Sequence, residues 1–138
     1  MSRFLKQTIF GDSKGNCFSA CVASLLNVSL DEVPNFCADY AANEWWDKFR
    51  TWLHERQYEA IFFEFKGWED GWKSMFEEAD GLLWISGGKS PRGDFLHAVI
   101  SKGPNVFFDP HPDNGGLDGD PKDGVLLIPC DPAIRCGE

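Results

Sequence analysis

Apolar residues recur at Phe18, Cys21, Val22, Leu25 and Leu26, a spacing of i, i+3, i+4, i+7 and i+8. That spacing predicts a helix from about Cys17 to Leu26 with one buried face. A second short helix fits Leu30 to Val33, where Ser29 and Glu32 stand at capping-box spacing and Pro34 ends the run. Trp45, Trp46, Phe49, Trp52 and Leu53 repeat the helical period and predict a helix over roughly Glu44 to Arg56, capped by Asn43. Ala60 to Phe65 reads as a strand and Glu69 to Ala79 as a short helix despite Gly71. From residue 82 the pattern turns to β-structure. Leu82 to Ile85 predicts a buried strand, 87–94 a Gly-rich loop, Phe95 to Ser101 a strand, and Val106 to Phe108 its hairpin partner. A loop rich in Asp, Gly and Pro fills 109–124 before a last strand at Val125 to Ile128. Helices first and an antiparallel sheet second is an α+β pattern, and the absence of repeats or linkers predicts one domain over 1–138.

Composition sharpens this picture. A chain of 138 residues with twelve Phe and six Trp can build its core without disulfides or metals. The formal net charge of −9 argues against binding to a nucleic-acid backbone or to an anionic membrane surface. No apolar run approaches the ~18–20 residues that span a bilayer, and Met1 to Thr8 lacks a secretory apolar region. A cytoplasmic location is therefore expected. In that compartment the five cysteines, an odd number, are expected to be mostly free thiols.

Candidate chemistry begins at Cys17. Residues 1–16 read as an extended segment and a polar turn, anchored by Phe4, Ile9 and Phe10, with Asn16 a candidate helix cap. Cys17 then falls in the first turn of the helix. Unpaired backbone N–H groups and the positive end of the helix dipole favour a thiolate there. A nucleophilic thiol needs a base and a group to orient that base. His97 lies in the strand Phe95 to Ser101, and hairpin arithmetic pairs it with a carboxylate. With a three-residue turn at 102–104, position 97 stands beside position 109, which is Asp; a two-residue turn is expected to shift the pairing by one and leave the two as diagonal neighbours. Asp109 would hold the imidazole and favour its charged form, which would in turn stabilise the Cys17 thiolate. The Cys17 N–H supplies one oxyanion donor, and Gln7, on the approach to the helix, is the candidate second.

These residues resemble a known family. Gln7, the run Gly15 to Cys21, His97-Ala98-Val99-Ile100 and Phe108-Asp109-Pro110 look like the papain-like cysteine peptidase superfamily, closest to its bacterial and phage peptidase C39-like branch. The resemblance implies a papain-like fold and amide hydrolysis by a Cys–His–Asp triad, without a cofactor. Its nucleophile would fall on Cys17, its base on His97, its acid on Asp109 and its oxyanion glutamine on Gln7. Phe18 departs from the small residue usual after the nucleophile in that branch. The implied substrate is a peptide or protein, cleaved by a monomer.

Other readings compete at particular positions. His111, between two prolines, is an alternative base or a residue bordering the cleft, and His54 reads as structural or exposed. Cys21 reads as core. The five aspartates at 109–123 do not match an EF-hand, Cys130 and Cys136 lack zinc-site spacing, and Gly87 to Ser90 lacks the P-loop frame. No metal is expected. Arg92 is a candidate anion or carboxylate contact at the cleft edge. Two other functional classes fit the same residues: a papain-like binding module without catalysis, and a thiol amidase or acyltransferase acting on cell-wall peptides.

Overall fold

The computed structural model describes residues 4–11 and 15–130. Helix α1 spans Cys17–Leu26, as the apolar period predicts. It ends at Asn27, whose left-handed backbone (φ 58°) and N–H to the Ala23 and Ser24 carbonyls close the last turn. Leu30–Glu32 form a single tight turn, shorter than predicted, in which the Ser29 hydroxyl reaches the Glu32 carboxylate at 3.2 Å in place of a backbone cap. A short helix α2, Phe36–Asp39, follows Pro34 and was not anticipated. Helix α3, Trp45–His54, begins one residue later than expected; Glu44, not Asn43, stands at its cap.

Five strands form one antiparallel sheet: β1 Tyr58–Glu64, β2 Leu83–Lys89, β3 Leu96–Lys102, β4 Asn105–Phe108 and β5 Asp123–Pro129, in the order β1-β5-β2-β3-β4. The fold is α+β. Phe18, Val22 and Leu25 of α1 and Phe49 and Leu53 of α3 share a core with Ala60, Ile85, Ile100, Val125 and Leu127 from the sheet. A second cluster joins Phe65, Trp72, Phe76 and Trp84, with Phe63 and Leu126 against it. Trp72 and Phe76 belong to helix α4, Gly71–Glu78. Strand alternation places Phe63, Trp84 and Leu126 on the sheet face opposite Ala60, Ile85 and Val125, so α4 covers the other face. Trp84 is fully buried, stacks on Phe76 at 4.1 Å and donates its indole N–H to the Gly103 carbonyl at 2.7 Å. Trp52, Trp72 and Trp84 are thus core, while Trp45 and Trp46 are half-buried and Trp68 is exposed. No helix among the described residues is long and apolar enough to cross a membrane.

The predicted loop 87–94 is partly strand, because β2 continues through Gly87, Gly88 and Lys89. These glycines are there for space. A Cβ at Gly87 would collide with the Asp123 carboxylate, and one at Gly88 would come within 3.2 Å of Leu117.

The β3–β4 hairpin also differs from expectation. Lys102 pairs with Asn105, so the turn is Gly103-Pro104 alone. Gly103 has φ +56° and lies so close to Asp80 that a side chain would strike its backbone. Ser101 then pairs with Val106, but Ile100 pairs with Phe108, leaving Phe107 as an extra residue in a bulge. A two-residue turn with unbroken pairing would set Asp109 opposite Ala98 and turn it to the face away from His97. The bulge restores the parity: continuing the register places Asp109 opposite Val99, diagonal to His97 on the same face.

Candidate active site

β4 pairs only with the last three residues of β3, Ile100 to Lys102. The edge of β3 around His97 is therefore open to the segment after β4 and to the N-terminal segment. Gln7 N–H donates to the Pro110 carbonyl at 2.9 Å, joining those two segments. Lys6 reinforces the junction, with Nζ donating to the carbonyls of Asp109 (2.8 Å) and His111 (3.2 Å) and to Asn114 Oδ1 (2.6 Å). On the other side, Leu5 N–H donates to Ser24 Oγ of α1 at 2.8 Å.

Asn16 does not cap α1 with its side chain. Its Oδ1 accepts from the N–H groups of Thr8 and Ile9, both at 2.9 Å, and its Nδ2 donates to Thr8 Oγ1 at 3.0 Å. It fastens the Gln7 segment to the start of the helix. Ile9 and Phe10 do not anchor this segment in the core, for both are exposed; Phe10 meets the His111 ring edge-on at 5.2 Å. The Cys17 N–H, at the helix start, has no intrahelical acceptor.

Cys17, His97 and Asp109 come together. His97 Nε2 lies 2.7 Å from Asp109 Oδ1, with both side chains 3% exposed. Cys17 and His97 line the same cleft, close enough for the sulfur to act on the titration of the ring. With Nε2 engaged by Asp109, Nδ1 is the nitrogen left for the sulfur. Burial alone would lower the His97 pKa, but the hydrogen bonds and charges of Asp109 and Cys17 outweigh it and raise it to about 9. For Asp109, burial would raise the pKa; hydrogen bonds from His97 and from the N–H groups of His111 (2.8 Å) and Gly116 (2.7 Å) hold it below the ordinary carboxylate value.

Gln7 is buried, and its Nε2 donates to the Ile9 carbonyl at 3.0 Å. That contact fixes which way the amide faces and leaves its second N–H without a partner among the described residues. Gln7 Oε1 is buried with no hydrogen-bond partner among the described residues. Gln7, Cys17 and His97 line one cleft of about 610 Å³, which also takes in Phe18, Trp45, Phe62 and Asp123. Phe18, the residue after Cys17, packs edge-on against Trp45 at 5.4 Å and Phe49 at 5.0 Å, so its bulk joins α1 to α3 at the cleft wall.

The remaining candidates take other parts. His111 borders the cleft, 6.3 Å from the His97 ring between centroids, and its backbone rather than its imidazole serves Asp109. Arg92 also lines the cleft, but its Nη1 is held by the two Asp113 oxygens at 2.9 and 3.2 Å, so its charge is already answered. His54 is surface-exposed and bonds Glu59 at 2.8 Å. Among the described residues Cys17, Cys21, Cys37 and Cys130 are free thiols, while Cys136 lies outside them. Burial, then the sulfur of Cys17, pushes the Cys21 thiol well up. Cys37 is raised to about 11 by desolvation against the cleft wall and by Cys17, although part of its surface remains open. Neither is placed to act as a thiolate near neutral pH.

Sequence reasoning missed two contributors. The acidic loop wraps back so that Gly116 N–H reaches Asp109, a long-range contact with no local signal. The His111 contact had one: an Asp whose side chain accepts the N–H two residues on is a common turn, repeated here at Asp113 and Gly115. No family model, no curated protein and no solved structure matches this chain.

Proposed function

We propose that this chain is a papain-like cysteine hydrolase that cleaves a peptide or isopeptide bond through a thioester acyl-enzyme. The observation that carries the reading is a buried imidazole held by a carboxylate on the same cleft as a thiol at the start of a helix. In this reading Cys17 Sγ attacks the substrate carbonyl and His97 Nδ1 takes the thiol proton. His97 returns that proton to the leaving amine as the C–N bond breaks. Water, deprotonated by the same imidazole, then hydrolyses the thioester and frees the acid. Asp109 holds the ring through Nε2 and stabilises its positive charge. The oxyanion lies between the Cys17 N–H and the second N–H of Gln7 Nε2. The substrate is a polypeptide entering an aromatic-walled cleft, and the enzyme works as a monomer in the cytoplasm.

Peptide-level mass spectrometry after brief iodoacetamide treatment tests the reading. Cys17 is expected to label faster than Cys37 and Cys130, and His97→Ala is expected to slow that labelling. Turnover of a peptide library is expected to vanish in Cys17→Ala. Equal labelling of the accessible thiols, or turnover that survives Cys17→Ala, overturns the reading.

A further inference from the structure

The cleft carries a second feature that the bond-breaking chemistry does not use. Asp123 opens β5 and lines the same cleft as Cys17 and His97. On one side it stands opposite Gly87 of β2, whose missing Cβ leaves the room the carboxylate occupies. On the other it stands directly opposite Glu64 of β1, so two carboxylates face the same side of the sheet on neighbouring strands. Like charges in that register repel and weaken a sheet. Among the described residues, no cation forms an ion pair with either. Arg92 is committed to Asp113 and Lys89 to Asp118, and neighbouring Lys122 acts on Asp123 only from beyond ion-pair distance. Burial and Glu64 together hold the Asp123 carboxyl above its ordinary value, so its charge is poorly compensated by the residues around it.

A second observation points the same way. The cleft's other unanswered polar atom, Gln7 Oε1 beside the attacked carbonyl, is an acceptor too, so it adds no cation of its own to face Asp123. The walls between are apolar and aromatic, from Phe18, Trp45, Phe62 and Val125. Such walls suit the methylene stem of a long side chain and the face of a cation. A cleft of about 610 Å³ takes only a few residues of a bound chain, and Asp123 lines it together with Cys17.

We propose that Asp123, backed by Glu64, is the specificity determinant of this cleft and seats a lysine or arginine side chain of the polypeptide substrate close to the scissile bond. The proposal rests on the hydrolase reading, and its test separates the two. The probes are fluorescein-labelled hexapeptides carrying lysine, arginine, norleucine, citrulline or glutamate at each position in turn. Binding is measured by anisotropy on the full chain bearing Cys17→Ala. Lysine and arginine peptides are expected to bind roughly tenfold or more tightly than their uncharged isosteres at one position. Asp123→Asn is expected to bring that ratio close to one, and Glu64→Gln to lower it partway. Asp123→Ser, and Glu64→Gln at its exposed site, carry the test if Asp123→Asn does not fold. Equal binding of charged and uncharged isosteres, a ratio indifferent to these substitutions, or no binding of any probe overturns the proposal. Turnover by the unmodified chain without a basic preference overturns it and leaves the hydrolase reading standing. A basic preference in binding with no turnover does the reverse.

Discussion

Asp109→Asn isolates the charge behind His97 while keeping its shape. The lift of the His97 pKa from 6.5 to about 9 corresponds to roughly 3 kcal/mol of preference for the imidazolium. Asp109 and Cys17 together supply that preference against the opposing effect of burial. Without the carboxylate charge, burial is opposed by Cys17 alone. The NMR titration midpoint of the His97 ring is therefore expected to fall by about two pH units or more, so that near neutral pH a large share of the rings is neutral. Iodoacetamide labelling of Cys17 is expected to slow by roughly tenfold as the charged partner is lost. The asparagine can still accept from His97 and His111, but its amide nitrogen would meet the Gly116 N–H, donor against donor. That mismatch is expected to cost about 1–3 kcal/mol in urea denaturation. A folded variant whose His97 midpoint stays within about half a pH unit of the parent refutes the assignment of the charge to Asp109.

Three further outcomes follow from the same geometry. Gln7→Ala is expected to lower kcat by roughly 10²–10³ with a smaller change in KM, and an unchanged kcat removes Gln7 from the oxyanion site. Because the folded-state pKa of His97 is raised, its stabilisation is complete below about 6.5 and is lost as pH rises through about 9. Thermal melts of the parent should therefore fall more steeply across that window than those of His97→Ala, and parallel curves would count against it. Trp84→Ala is expected to cost about 3–5 kcal/mol by emptying a fully buried site. Trp84→Phe should cost less, about 1–3 kcal/mol, chiefly for the Gly103 carbonyl it strands, and denaturant midpoints rank the two.

The parts of the site that could be read from the sequence are those whose geometry is local. Helix α1 follows from the period of Phe18, Cys21, Val22 and Leu25, and its first turn fixes Cys17. His97 and Asp109 share one hairpin, so their meeting was a matter of counting, though the count needed the bulge at Phe107 to come out right. Gly87 and Gly88 were misread because glycine signals both a turn and a close approach. The partners that decide between them, Asp123 and Leu117, lie about thirty residues downstream. Asn16 was misread for the same reason: it has the right chemistry for a helix cap, but the segment it binds could be placed only once the chain had folded. Helix α2, at four residues, is too short to show a period. Asp123 sat inside an acidic loop in the sequence, and only strand pairing with Glu64 and Gly87 distinguishes it from its neighbours.

The extra residue at Phe107 makes the hairpin a matter of phase. Deleting the extra residue at Phe107 would give a more regular ladder, yet it would swing the carboxylate to the opposite side of the sheet. Inserting one would do the same. Changes in length at this tip can therefore keep the site only in steps of two. The chain could tolerate many substitutions along this exposed strand while being nearly intolerant of a frame-preserving single-codon gain or loss there.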